Sequence, residues 1–308
     1  MTVEDIRLIK EMCSIRGTSG NELGMRDYIL GYIEKHKHTW KVQPVIHYGK
    51  DLQDGIVLAF GKPRTAIFAH IDTIGFTVRY GKQLVKIGGP RIENGYELVG
   101  EDSLGEIECK LLVDEDRNLS YEFEREIDRG TPLSFKPTFY HHESFLQCCY
   151  MDNRLGVWNA LKVAETLEDG VICFTCWEEH GAGNAEVLGK FIYTNYDVTQ
   201  TLISDITWVT EGVIAGEGVA ISLRDSGIPR KSYTDKIITL AKESGIPFQL
   251  EVESSGGSDG NSLQRTSFPF DWCFIGAPES NVHSPLEKVH IKDIESMLAL
   301  YKFLMKKL

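Results

Sequence analysis

The sequence predicts an α/β protein: a mixed central sheet with helices on both faces, plus a small inserted all-β domain. Three observations predict it. Helical and strand patterns alternate through most of the 308 residues, the arrangement that builds a sheet covered on both faces. Residues 77–142 break that alternation. There, apolar and polar residues take turns, Gly88-Gly89-Pro90 interrupts, and no long helical pattern occurs, which reads as an all-β insertion. Five short apolar runs each end abruptly at an acidic residue or a histidine, and in open α/β sheets the ligand lies beyond such strand ends.

The elements follow in order. Val3, Ile6, Leu8, Ile9 and Met12 stand at roughly helical spacing. A second helix is expected from Ser19, where Ser-Gly-Asn-Glu at 19–22 has the form of a capping box, and it runs through Met25, Tyr28, Ile29 and Ile33. Residues 41–48 and 55–59 read as strands, and 65–69 as a short apolar run that stops at His70. Beyond the insertion, helices are expected at 153–167, 184–191, 231–244 and 291–304. Strands are expected at 171–177, 201–204, 219–223, 248–252 and 271–275. The implied division is a main domain of residues 1–76 and 143–308, interrupted by a β-domain of residues 77–142. A prior of ~150 residues per domain also suggests two.

Composition narrows the function. Hydrophobic residues make up 42% and charged residues 25%, as in a soluble globular enzyme. Lys plus Arg number 33 against 45 Asp plus Glu, a net charge of -12. That argues against general nucleic-acid binding and against an anionic membrane surface. The seven cysteines are odd in number and scattered, so a reducing compartment, the cytoplasm, is expected. The first residues lack the apolar core of a signal peptide, and no run of 18 apolar residues would span a membrane.

The chemistry sits in AIFAHID (66–72), CCYMDNR (148–154), ICFTCWEEHG (172–181), TLISDIT (201–207) and SNVHSPLE (280–287). Two histidines and three carboxylates converging there suit a pair of divalent ions such as zinc, cobalt or manganese. Two such ions polarise a carbonyl and lower the pKa of water from 15.7 towards about 7. A further carboxylate must then take the proton, and the adjacent Glu178 and Glu179 offer one ligand and one base between them. Asp72, two residues after His70, is spaced to orient the imidazole. Each fragment alone has a plain structural reading: a core histidine, a solvated glutamate pair, and an N-cap at Asp152.

Together they resemble a known family. AHIDTIGF (69–76) resembles the AHxDEIGF signature of the glutamyl and tetrahedral (TET-type) aminopeptidases, the co-catalytic dinuclear metallopeptidases of family M42. MDNR (151–154) is similar to their LDNR, and WEEHGAGNAE (177–186) to their EEVG segment with its Gly-Ala turn. SDIT (204–207) is similar to DVT, GGSDGNSL (256–263) to GGTDAGA, and VHSPLEKV (282–289) to IHSPVE. The resemblance covers nearly the whole chain in the family's order. It implies a zinc-peptidase-like fold and two divalent metal ions per chain, zinc or cobalt. His70 and His283 become terminal ligands, Asp152 the bridging ligand, and Glu179 and Asp205 ligands to one ion each. Glu178 becomes the general base and Asp72 the partner of His70. The implied activity is removal of N-terminal residues from peptide substrates by a homo-oligomer, with 77–142 serving assembly and substrate access. Thr73 and His180 depart from the family's usual Glu and Val, which bears on substrate preference.

Other residues are weighed beside these. Cys173 and Cys176, at odd spacing in one strand, point to opposite faces and read as packing, as do Cys148 and Cys149. His141 and His142 read as a solvated loop, and His180 as a substrate neighbour by adjacency alone. Gly256-Gly257-Ser258 permits close backbone approach to a ligand, and Asp259 reads as a helix cap. Arg224, Arg230 and Lys231 are positioned to meet an acidic side chain, with exposed surface as the default. The rival functions are another dinuclear amidohydrolase or deblocking enzyme, and a non-catalytic scaffold on the peptidase fold. Some relatives carry an endoglucanase label, but glycosidases commonly work with two metal-free carboxylates, and five ligand-type residues argue against that reading.

Overall fold

The computed structural model describes residues 1–181 and 183–308. Seven helices occur among them: α1 (Val3–Cys13), α2 (Leu23–His36), α3 (Met151–Ala164), α4 (Ala185–Tyr196), α5 (Lys231–Ser244), α6 (Asp259–Arg265) and α7 (Ile291–Lys307). The strands, in chain order, begin with β1 (Val45–Tyr48), β2 (Ile56–Phe60) and β3 (Thr65–His70). Next come β4 (Gly75–Val78), β5 (Leu84–Ile87), β6 (Glu97–Asp102), β7 (Gly105–Val113), β8 (Leu119–Glu122) and β9 (Pro132–Phe135). The chain continues through β10 (Tyr140–His141), β11 (Phe145–Gln147), β12 (Gly170–Thr175) and β13 (Gln200–Trp208). It closes with β14 (Val219–Arg224), β15 (Phe248–Val252), β16 (Asp271–Ser280) and β17 (Lys288–His290).

Eleven strands form one mixed sheet ordered β1-β2-β12-β3-β13-β16-β17-β11-β10, with β14 and β15 branching from β16. Its centre is parallel: β12 pairs with β3, β3 with β13, and β13 with β16. The central strands are buried along their length, as a sheet covered on both faces requires. Alternate side chains enter two cores. Ile67, Ala69, Ile172, Phe174 and Leu202 join the core that α1, α3 and α7 cover. Ala66, Phe68, Val171, Cys173 and Ile203 join the core on the other face, under α4. Cys173 lies in one core and Cys176 in the other, as their odd spacing predicts. All seven cysteines are buried and free.

The remaining six strands form a separate antiparallel sheet, β5-β4-β9-β6-β7-β8. It starts at Gly75 and its last strand ends at Phe135, whereas Tyr140–His141 pairs with β11 in the large sheet. No helix among the described residues is long and apolar enough to cross a membrane.

Several expected boundaries shift. Helix α2 starts at Leu23, and Ser19 caps nothing, because its hydroxyl donates to Asp72 Oδ2 at 2.6 Å. A capping box does form one helix earlier: Thr2 Oγ1 accepts from the Asp5 backbone N–H at 3.1 Å and Asp5 accepts from the Thr2 N–H at 2.9 Å. The first strand begins only at Val45, just past Pro44. Strand β16 runs on through Gly276, Ala277 and Pro278 to Ser280, residues whose turn-like composition hides a strand. The Gly-Ala turn expected at 181–182 includes Ala182, which lies outside the described residues.

Candidate metal centre

Because β3, β12 and β13 run parallel, their carboxyl ends share one edge of the sheet, and residues far apart in sequence meet there. His70 ends β3, Asp205 stands in β13, and Glu178 and Glu179 occupy a 3-10 turn just past β12. Asp152 opens α3 with non-helical dihedrals and makes no capping bond. Asn153 caps the helix instead, its Oδ1 accepting from the Gly156 N–H at 2.9 Å. The chain turns sharply at three of these places: Tyr150, Trp177 and His283 have φ of 71°, 61° and 64°. Left-handed backbone is uncommon outside glycine and tends to mark functional sites. Here it aims the flanking carboxylates and the His283 imidazole back over the sheet edge.

The side chains converge as pairs around Asp152. Its Oδ1 lies 3.1 Å from His70 Nε2 and its Oδ2 lies 3.3 Å from His283 Nε2. Asp205 Oδ2 approaches His70 Nε2 at 3.6 Å, and Glu179 Oε2 approaches His283 Nε2 at 3.2 Å. Two donor triplets result, His70–Asp152–Asp205 and Asp152–Glu179–His283, each with its ligand atoms within 4.8 Å of one another. Glu178 belongs to neither and reaches His70 Nε2 at 3.9 Å.

The electrostatics follow from burying so many acids together. Burial disfavours a charged His70 imidazole, yet Asp205 and Asp152 pull its pKa well above the ordinary value. Burial likewise opposes charge on His283, and Glu179 and Asp152 override it, raising its pKa to about 12. Burial lifts Glu179 to about 7 and Asp205 to about 6, with the imidazoles opposing. Glu178 is pushed well up, by burial first and then by Asp205 and Glu179.

A further layer holds these groups. Asp72 Oδ1 accepts from the Glu178 N–H at 3.0 Å, its Oδ2 from the Glu179 N–H at 3.1 Å, and Oδ1 lies 3.4 Å from His70 Nδ1. Glu22 Oε1 accepts from the Gly20 and Trp177 N–H groups at 2.8 and 3.1 Å. Glu287 accepts from the His283 N–H at 2.9 Å and the Asp152 N–H at 3.3 Å, tying two of the converging residues to one carboxylate. The buried Arg154 guanidinium donates to the Ile71 carbonyl, next to Asp72. In the sequence Ser19 and Glu22 carry only the signature of a helix start, and Glu287 has only its place at the end of HSPLE.

The other expectations resolve individually. Ser258 caps α6, and Asp259 lies inside it, buried, accepting from the Thr175 hydroxyl at 2.5 Å. Burial raises the Asp259 pKa to about 6. His180 Nδ1 accepts from the Gly88 N–H at 3.0 Å, linking the glutamate turn to the second sheet. His141 and His142 are exposed and away from the cavity at the site. That cavity, about 390 Å³, is lined by the converging residues and by Gly256, Gly257 and Ser258. Arg230 pairs with Asp271 at 3.0 Å and Lys231 with Asp235 at 2.7 Å.

The residues fit divalent cations. Imidazole nitrogens and carboxylate oxygens are the donors zinc and cobalt accept, Glu179 Oε1 is buried without a hydrogen-bond partner, and the negative field that raises both imidazole pKa values is one a cation neutralises.

Comparison with known proteins gives the family and the fold. The family model described as M42 glutamyl aminopeptidase matches residues 105–300. A protein of Acetivibrio thermocellus described as "Putative aminopeptidase" is 26% identical over 324 residues, covering 95% of this chain and 96% of its own. Among solved structures, a TET aminopeptidase from a marine-sediment Thaumarchaeota archaeon superposes with a TM-score of 0.88 at 18% identity, over 99% of this chain and 96% of that one. A Pyrococcus horikoshii TET1 peptidase, which can assemble into a tetrahedron or a large octahedral shell, gives 0.83 at 21% identity, over 99% and 100%. With more than half its length matched by the family model, the chain belongs to the M42 glutamyl aminopeptidases and is a metal-dependent aminopeptidase.

Proposed function

We propose that the chain removes the first residue of peptides with two divalent ions, zinc or cobalt. His70, Asp152 and Asp205 hold one ion, and Asp152, Glu179 and His283 hold the other. The observation that carries this is Asp152, whose two oxygens each face a different imidazole at 3.1 and 3.3 Å. When bound, the ions supply polarisation of the scissile carbonyl and acidification of the attacking water. Glu178, outside both triplets, accepts the proton of that water and returns it to the leaving amine. Asp72 fixes His70 from behind and holds the Glu178–Glu179 turn through both backbone N–H groups. Glu178→Gln keeps the side-chain shape and removes the base. Its kcat should fall ~10²–10⁴-fold while metal content stays at the wild-type level, and unchanged turnover in metal-replete protein would overturn the role. Equal cleavage of free and N-acetylated peptides would instead favour a general amidohydrolase.

We further propose that the insertion, whose six strands run from Gly75 to Phe135 and so leave Tyr140–His141 to the large sheet, forms a separate domain that assembles copies of the chain in the cytoplasm. Tyr80, Val85 and Leu104, all in or beside the second sheet, are 51%, 49% and 72% exposed, apolar surface that an interface would cover. A monomeric mass in light scattering would exclude the assembly.

A further inference from the structure

The cavity extends past the metal centre, and its far part has a charge pattern the mechanism does not use. Asp225, Glu251 and Glu253 line it. Asp225 and Glu251 are 8% and 3% exposed. None of the three makes an ion pair among the described residues. The nearby Arg224 is fastened by its Nε to the backbone carbonyls of Asp225 and Glu253, at 3.2 and 3.1 Å, rather than to a carboxylate. Arg265 also lines the cavity, and it is exposed. A buried carboxylate is costly unless a cation meets it. Burial raises the pKa of both Asp225 and Glu251, partly offset at Asp225 by backbone N–H groups, the Asn261 side chain and the nearby Arg224 charge, and at Glu251 by the Thr207 hydroxyl.

Register places Glu251 close to the reacting centre. The Thr207 hydroxyl donates to Glu251. Thr207 is two residues beyond Asp205 in β13, so both side chains share one face of the sheet, and the strand rise separates them by ~6.6 Å. An extended Lys side chain reaches ~6 Å from Cα to Nζ. The same cavity is lined by Trp208 and Phe274, apolar walls of the kind that cover methylene stems while a charged head passes beyond them.

We propose that this cavity selects peptides whose first residue is basic, with Glu251, Glu253 and Asp225 receiving the Lys or Arg head group and Trp208 and Phe274 flanking its stem. The proposal rests on the aminopeptidase reading and makes it specific. An acidic first residue, which the family's description would suggest, meets like charge here.

The test uses metal-replete protein and aminoacyl amides of lysine, arginine, norleucine and glutamate. The kcat/KM for lysine and arginine should exceed that for norleucine about tenfold or more, since an unmet buried charge is what the neutral analogue leaves behind, and glutamate should be the poorest. Glu253→Gln should lower the lysine-to-norleucine ratio several-fold. Norleucine or glutamate as the best substrate, or an unchanged ratio in Glu253→Gln, overturns the proposal. Calorimetric titration with the free products L-lysine and L-norleucine reads the same preference without turnover. If no amide is cleaved, the aminopeptidase reading has failed, and tighter binding of lysine than norleucine still decides the cavity; equal binding overturns it.

Discussion

Asp72 touches every part of the proposed centre except Asp152, Asp205 and His283. It accepts from Ser19 and from the backbone of Glu178 and Glu179, and it lies beside His70 Nδ1. Burial opposes its charge, and His70, Ser19 and the Glu179 N–H together hold its pKa below the usual value. Carboxylates behind a ligating histidine typically control metal affinity by ~10–100-fold. Asp72→Ala should therefore weaken metal binding by about that factor, as read by competition with a chromogenic chelator, and wild-type affinity would remove Asp72 from the centre. The position of Asp72 beside His70 was legible because the two are two residues apart. The roles of Ser19 and Glu22 were not, since Ser-x-x-Glu spells a capping box and only the fold reveals that both side chains face Asp72 and Trp177 instead. For Arg224, Arg230 and Lys231 exposed surface is the default reading against a site for an acidic group. Arg230 and Lys231 are exposed and pair with Asp271 and Asp235, and Arg224 bonds backbone carbonyls.

At the scale of elements, the centre depends on how closely α3 lies against β13. Gly156 is the contact. A Cβ built there would stand 2.1 Å from the Ser204 carbonyl oxygen and 2.1 Å from Asn153 Oδ1, so the helix that carries Asp152 would have to move off the strand that carries Asp205. Overpacking of this sort typically costs 1–3 kcal/mol. Gly156→Ala should lower the unfolding free energy by roughly that amount in denaturant titration and weaken metal binding with it. A variant as stable as wild type would mean the two elements tolerate separation. Strand ends at His70 and around Thr175 were readable because buried parallel strands are continuous apolar runs with abrupt polar ends. The end of β16 was not, because Gly276, Ala277 and Pro278 carry no strand signature and gain their place only from pairing with Asp205, Ile206 and Thr207. Similarly, nothing local separates Tyr140–His141 from the insertion; its partner β11 decides.

For the whole molecule, the site concentrates buried acid, and stability should reflect it. Burial raises the Glu22 pKa from 4.5 to about 7. Between those values the folded chain holds a proton that the unfolded chain has lost, so the unfolding free energy falls as pH rises through the window, by roughly 3 kcal/mol from this group. Glu22→Gln keeps an acceptor for the Gly20 and Trp177 N–H groups and removes the titration. Its stability, measured with chelator present, should decline less between pH 4.5 and 7 than that of wild type; parallel curves would assign the loss to other groups. Metal acts in the opposite sense. It would join β3, the start of α3, the turn after β12, β13 and the loop before β17 through one set of charges, linking segments from residue 70 to residue 283. A ligand present at ~1,000 times its dissociation constant adds about 4 kcal/mol to the folded state, and for a chain of this size that corresponds to a shift in Tm on the order of 5–10 °C. Chelation should therefore abolish activity and lower Tm by about that much, and zinc or cobalt should restore both. If chelator strips the ions, as shown by elemental analysis, and Tm does not move, then the five side chains do not hold those ions as a group, and the shared centre around Asp152 is wrong.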